Sequence, residues 1–138
     1  MDISTERPRD DVALVALTGE LDASNFEDVI DAARQLTGDG AHHLILDLSG
    51  LSFMGSSGLV AIHSAALLAQ GHEPPSPEDG WDAFHRMSND VATGSNDGSL
   101  RIVAPSAAVE RVLDRTGMKR LFAVHADRDE ALGAIHAG

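Results

Sequence analysis

Short apolar runs alternate along the chain with stretches in which apolar residues recur at helical spacing. This pattern predicts strands that alternate with helices. The apolar runs of strand length are residues 12–18, 44–48, 100–104 and 121–124. Residues 2–6 predict a further, short strand at one edge, joined to the first run by a turn at residues 9–11. Because strand and helix alternate four times, we expect an α/β domain with a four- to five-stranded, mostly parallel or mixed sheet.

About four helices are predicted between and after these strands. Ser24 and Glu27 have the spacing of a capping box and predict the start of an amphipathic helix that ends near Gly38. Residues 59–70 are apolar almost all round, so this helix must be covered on more than one side. Ser106 is expected to cap the third helix, and Asp127 is expected to open the last.

Residues 71–99 interrupt this pattern and are interpreted as a surface insertion in a single domain that spans residues 1–138. The segment contains three of the five prolines, and it has six acidic residues but only one arginine. The sequence leaves two interpretations open: a loop with a transient helical turn, or a docked short helix. The side chains that would line such a helix are Trp81, Phe84, Met87 and Val91.

Charge and composition exclude several classes of function. Ten Lys and Arg against 22 Asp and Glu give a net charge of −12, which disfavours nucleic acid and anionic membranes as partners. Another protein is therefore the expected partner. The absence of Cys excludes disulfides and thiolate catalysis. Neither a membrane-spanning apolar stretch nor a signal peptide is recognisable, so we predict a cytoplasmic protein without membrane insertion, of open oligomeric state.

The most informative segment is the junction between the second apolar run and the following helix, where Ser56 and Ser57 are flanked by Gly55 and Gly58. In open α/β sheets, functional groups collect where strands end and helices present unpaired N–H groups. A serine hydroxyl there is a chemically suitable phosphorylation site. The alternative is that either serine only caps the helix. Asp22 is expected near the same edge of the sheet, with a role as a turn-stabilising residue as its alternative.

Motifs for catalysis or metal binding are missing. A hydrolase nucleophile elbow would need a glycine at the position of Leu59, and no phosphate-binding glycine motif is present. The seven histidines include no pair at the spacing of a helical metal site. We therefore predict a protein that is not an enzyme and that needs no cofactor and no metal.

Three segments of the chain look familiar when they are taken together. They are Gly-Glu-Leu-Asp at residues 19–22, Asp-Leu-Ser through Ser-Ser-Gly-Leu at residues 47–59, and Leu-Arg-Ile-Val at residues 100–103. In this combination and order they resemble the STAS domain of bacterial anti-sigma factor antagonists, over nearly the whole chain except residues 71–99. The resemblance implies a STAS-like fold, with its helices mainly on one face of the sheet.

What the resemblance implies about function is partner switching. In that family the unphosphorylated antagonist binds an anti-sigma factor that is also a serine kinase, and phosphorylation dissociates the complex. Carried over, Ser56 is the phosphoacceptor, Asp22 lies near the kinase, and the partner-binding residues are Asp22, Gly55, Ser56, Ser57, Gly58 and Leu59. The chain departs from the family at Gly55, where an aspartate is common, and in the insertion. These departures keep a second hypothesis open, a phosphorylation-independent STAS scaffold in a sensory or transport-associated assembly.

Overall fold

The computed structural model describes residues 1–73 and 99–135, which contain a five-stranded mixed sheet with the strand order β1-β2-β3-β4-β5. The edge strand β1 runs antiparallel to β2, and β2 to β5 are parallel. Both the mixed sheet and the edge strand expected from residues 2–6 are confirmed. The strands are β1 (Asp2–Arg9), β2 (Val12–Leu21), β3 (His43–Met54), β4 (Leu100–Val103) and β5 (Ala123–His125).

Four helices of seven or more residues and one single-turn helix lie within the described residues. They are α1 (Phe26–Gly38), α2 (Ser56–Ala69), α3 (Ala107–Thr116), the single turn α4 (Met118–Leu121) and α5 (Arg128–Ala134). The predicted caps of α3 and α5 are confirmed, because Ser106 and Asp127 accept hydrogen bonds from the N–H groups three residues further on. The last strand begins later than predicted, since residue 121 still belongs to α4.

The helices lie mainly on one face of the sheet, as expected. Apolar residues of α1 to α4 form one large core with the sheet, and α5 packs against the opposite face in a smaller core. The smaller core contains Ile45, Val103 and Ala131. The α/β fold class and the arrangement of its layers are thus confirmed.

Helix α2 is buried all round, which confirms that it is covered on more than one side. Every residue from Gly58 to Ala69 is buried, and α2 packs against α1 and against the sheet. Most of the predicted insertion, residues 74–98, lies outside the described residues, and so do both interpretations of it. In the part of the chain that the structure describes, no helix has the length and hydropathy needed to cross a membrane.

Strand β3 is longer than the predicted run, because its pairing with β2 continues to Met54. This longer pairing contains two irregularities of register. Ala16 pairs with Asp47 and Thr18 with Gly50, so β3 gains one residue there. It gains another between the Gly19–Leu51 and Glu20–Phe53 pairs. Each extra residue shifts the alternation of inward-facing and outward-facing side chains by one position. The inward-facing residues of this part of β3 are therefore three apart: Leu48, Leu51 and Met54.

Candidate functional site

The ends of β2 and β3 are joined, and this junction positions the candidate site. Leu21 and Met54 are register partners, and the N–H of Gly55 donates a 2.9 Å hydrogen bond to the carbonyl of Leu21. Asp22 directly follows Leu21, and Ser56 directly follows Gly55. The structure therefore brings these two predicted site residues to the same edge of the sheet.

The start of α2 corrects one of the two interpretations of the serine pair. Gly55 is the N-cap residue, in an extended conformation, and no side chain caps the helix. Ser56 and Ser57 are the first two helical residues, so neither serves as the N-cap, and that interpretation is wrong. Ser56 is exposed and Ser57 is half-buried. The Ser56 hydroxyl is thus accessible beside the unpaired N–H groups of the first helical turn.

Gly58 and Leu59 lie beneath this surface rather than on it. Leu59 is buried in the large core, and Gly58 packs against the ends of both strands. A Cβ atom at Gly58 would lie 2.3 Å from Met54 Cγ and 3.0 Å from Leu21 Cδ2. The lack of a side chain at Gly58 is what allows α2 to begin so close to β2 and β3. The role of both residues in partner binding stays a prediction. Because they are buried, they would contribute to binding by holding the first turn of α2 in place and not by contacting the partner.

Asp22 organises the turn between β2 and α1. Its Oδ1 accepts hydrogen bonds from the N–H and the hydroxyl of Ser24, at 2.9 Å for the N–H. These bonds, the one from the hydroxyl above all, hold the pKa of Asp22 below its ordinary value. The carboxylate is therefore ionised at neutral pH. The turn-stabilising role is present, and the charge still lies at the edge that holds Ser56.

The predicted capping box at Ser24 is wrong. Helix α1 begins at Phe26, its N-cap residue is Asn25, and no side chain caps it, while the Ser24 hydroxyl donates to Asp22. The side chain of Asn25 instead ties the turn to the end of β2, accepting from the N–H of Asp22 and donating to the carbonyl of Glu20. The pattern Ser-x-x-Glu is present, but the helix begins one residue later than a box at Ser24 requires, and Ser24 belongs to the turn that Asp22 stabilises.

Phe53 is the residue of this edge that sequence reasoning missed. It is the register partner of Glu20, its side chain is 49% exposed, and a Cβ atom at Gly55 would lie 3.7 Å from its Cε1 atom. The ring therefore lies beside the backbone that leads into Ser56. The spacing of three between Leu48, Leu51 and Met54 was the available signal, since it leaves Phe53 off the inward-facing side.

A protein-family model matches the part of the chain that forms this arrangement. The STAS domain model matches residues 4–70, which include both strand ends, Asp22 and Ser56. Residues 4–70 thus match the STAS domain. Over these residues the match confirms the resemblance drawn from the sequence.

Solved structures of anti-sigma factor antagonists share the fold of this chain. The unphosphorylated form of SpoIIAA is 19% identical, with a TM-score of 0.62 over 98% of this chain and 100% of that one. An antagonist from Mycobacterium paratuberculosis is 22% identical, with a TM-score of 0.65 over 97% and 94%. The phosphorylated form of Bacillus SpoIIAA is 18% identical, with a TM-score of 0.56 over 98% and 100%. At these identities the likeness establishes the fold.

A buried carboxylate lies on the face of the sheet that packs against α5. Asp47 accepts from the N–H and hydroxyl of Ser49 at 3.0 and 2.7 Å, and from Nε of Arg128 in α5 at 2.7 Å. Burial opposes its ionisation, but these hydrogen bonds outweigh burial and lower the pKa of Asp47. Arg128 also lies 3.3 Å from the exposed carboxylate of Glu6. This group fastens α5 to the sheet.

The histidines that the structure describes form no metal site. Among residues 1–73 and 99–135, no group of three or more His, Asp and Glu side chains is arranged to hold a metal ion. His125 instead lies between Arg101 and Glu130, with ring nitrogens 3.1 and 3.2 Å from the respective side chains.

Proposed function

We propose that this STAS domain is an anti-sigma factor antagonist that acts by partner switching. When Ser56 is unphosphorylated, the protein binds an anti-sigma factor that is also a serine kinase, and phosphorylation of Ser56 releases it. The observation that carries this proposal is the exposed Ser56 hydroxyl at the start of α2, on the edge that also holds the ionised Asp22. In this mechanism the domain is the substrate of a kinase and is not itself an enzyme.

The fold tolerates a phosphoryl group at Ser56 for electrostatic reasons. Ser56 is the first residue of a 14-residue helix, whose unpaired N–H groups and dipole favour negative charge. A phosphoserine carries about −1.5 to −2 charges at pH 7, and it would project from an exposed position without disturbing the core. Phosphorylation is therefore expected to change the surface and to leave the fold intact.

The segments of the chain that form this edge contain no Lys or Arg that could neutralise the charge added by phosphorylation. We call segments 1–4, 18–28 and 49–60 the acidic edge, since they hold five acids and no Lys or Arg. The acids are Asp2, Glu20, Asp22, Glu27 and Asp28. A phosphoryl group on Ser56 would thus add further negative charge to an edge that is already acidic.

The chemistry of a kinase explains why this charge releases the partner. To phosphorylate Ser56, the kinase must hold the γ-phosphate of ATP opposite the Ser56 hydroxyl. After transfer, the phosphoserine faces the remaining phosphates of the nucleotide. Two anions in a desolvated interface repel each other, and the complex dissociates.

The phosphorylation-independent scaffold is the second candidate, and Gly55 is the observation that favours it. An aspartate is common in the family directly before the phosphoacceptor. In this chain that position is Gly55, the N-cap residue of α2, which has no carboxylate. A scaffold would bind its partner through the same edge with no sensitivity to charge at Ser56.

Phosphorylation in vitro separates these two functions. Histidine-kinase-like ATPase domains from the same genome are first tested for binding to the wild-type protein by calorimetry, and the one that binds is incubated with it and ATP. Mass spectrometry should then locate one phosphoryl group on Ser56, and Ser57→Ala should be phosphorylated like the wild type while Ser56→Ala is not. Phosphate on another residue would contradict the switch.

Binding measurements complete the test. Ser56→Asp should weaken binding to that ATPase domain at least tenfold, whereas Ser56→Ala should bind like the wild type. Equal affinity of all three proteins would favour the scaffold. Failure of every ATPase domain to bind would overturn the proposed function.

A further inference from the structure

We propose that Phe53 is the apolar anchor of the acidic edge, and that it inserts into an apolar pocket on the anti-sigma factor that is rimmed by Lys or Arg. This inference rests on the proposed function and deepens it, because it names the chemistry of the partner surface. It assigns to Phe53 a role in affinity that is separate from the switch at Ser56.

Exposure is the first observation that supports this role. Aromatic residues make up only 4% of the chain, yet Phe53 is 49% exposed. Within residues 1–73 and 99–135, the other large apolar side chain with comparable exposure is Met1. A Cβ atom at Gly19 would lie 3.4 Å from Met1 Cα, so Met1 lies at the same edge of the sheet as Phe53. An exposed aromatic ring on a rigid strand is the type of residue that dominates the affinity of protein interfaces.

The position of the ring supports a place near the centre of the interface. Phe53 is held by β3, with Glu20 as its register partner, and Cε1 lies close to the backbone at Gly55. Since Gly55 directly precedes Ser56, we expect a protein that covers the Ser56 hydroxyl to reach the Phe53 ring as well. The pairing of β2 with β3 holds the backbone at Phe53, so little backbone entropy is lost there on binding.

Charge identifies the rim of the partner pocket. Phe53 belongs to the acidic edge, where Glu20 is its register partner and where the segments contain five acids and no Lys or Arg. A partner with acidic residues around its pocket would be repelled, whereas one with Lys or Arg would be steered towards the edge and would bind faster at low salt. The basic groups are expected opposite Glu20 and Asp22, because the nucleotide phosphates occupy the position opposite Ser56.

The test uses the anti-sigma factor that binds the wild-type protein in the experiments above. Phe53→Ala should weaken binding by calorimetry about tenfold or more, as expected for loss of a central aromatic residue. Phe53→Leu keeps an apolar side chain and should retain most of the affinity. Unchanged circular dichroism and melting temperature would show that Phe53→Ala is folded.

Charge is tested separately. Glu20→Gln should slow association at low salt and have less effect at high salt, whereas the control Asp39→Asn, at the far end of α1, should leave association unchanged. Equal binding of Phe53→Ala and the wild type would overturn the inference and leave the proposed function standing. If Glu20→Gln and Asp39→Asn slow association equally, the proposal that Lys or Arg rims the partner pocket is wrong. If no anti-sigma factor binds the wild type, the proposed function fails, and this inference fails with it.

Discussion

The N–H of Gly55 donates a hydrogen bond of 2.9 Å to the carbonyl of Leu21, across the ends of β3 and β2. This bond extends the pairing of the two parallel strands by one residue, up to the N-cap of α2. It fixes the edge from which Asp22 and Ser56 project. The geometry of the site is therefore determined by backbone pairing and close packing, and substitutions that disturb either should affect it.

Gly58→Ala should destabilise the protein, because its Cβ atom would lie 2.3 Å from Met54 Cγ, in a fully packed region. Overpacking of this kind costs about 1–3 kcal/mol in the free energy of unfolding. Urea unfolding measures the loss. Gly133→Ala is the matched control, since nothing lies within 4 Å of its Cβ position in α5, and there alanine should be neutral or stabilising. Similar free energies for both variants would contradict the packing role of Gly58.

Gly55→Asp should be accepted by the fold and should stabilise it. The Cβ position meets only ordinary contacts, at 3.7 Å or more, and a carboxylate at the N-cap can accept from the uncapped N–H groups of α2. The gain in the free energy of unfolding should be a few tenths to about 1 kcal/mol.

The control for Gly55→Asp is Gly38→Asp, which adds the same charge at the carboxyl end of α1, where the helix dipole disfavours it. Thermal unfolding should separate the two variants, with Gly55→Asp above the wild type and Gly38→Asp at or below it. Equal shifts would show that net charge, and not capping, is responsible.

The order of strands and helices could be predicted from the sequence because periodicity reports it directly. The edge shared by Asp22 and Ser56 was also predictable, since parallel strands end on the same side of a sheet. The extension of β3 to Met54 was not, because two bulges change the spacing of inward-facing residues from two to three. The exposed Phe53 followed from those bulges and was missed for the same reason.

The starts of α1 and α2 differ from the prediction because neighbouring residues occupy the capping positions. Asn25 is the N-cap residue of α1, where Ser24 was expected, and Gly55 is the N-cap residue of α2, where a serine was considered. Neither outcome follows from the spacing of single motifs. In contrast, Ser106 and Asp127 have no such competitor among the described contacts, and both cap their helices as predicted.

Asp22→Asn and Asp22→Ala should separate the charge of this residue from its turn. Asparagine keeps an oxygen that accepts from Ser24, so its melting temperature should stay close to that of the wild type, whereas alanine should lower it. Both variants lose the charge and should slow association with the anti-sigma factor, measured by surface plasmon resonance at low salt. If Asp22→Asn associates as fast as the wild type, the role of Asp22 is limited to stabilising the turn.

The buried Asp47 predicts how stability depends on pH. Its pKa in the folded protein lies below its ordinary value of about 3.9 in an unfolded chain. Below about pH 4 the unfolded state therefore binds more protons than the folded state, and the free energy of unfolding falls as the pH falls. The contribution of Asp47 is complete above this range and is lost as the pH passes through the lowered pKa.

Asp47→Asn should remove this contribution. It should cost about 1–3 kcal/mol at pH 7, because Arg128 loses the carboxylate that it binds at 2.7 Å and a partly mismatched polar group stays buried. The difference from the wild type, measured by urea unfolding between pH 2.5 and 7, should shrink as the pH falls below about 4. Asp39→Asn, at an exposed position, should differ from the wild type by less than about 0.5 kcal/mol at pH 7. A difference between wild type and Asp47→Asn that is as large at pH 2.5 as at pH 7 would show that the ionised carboxylate does not fasten α5 to the sheet.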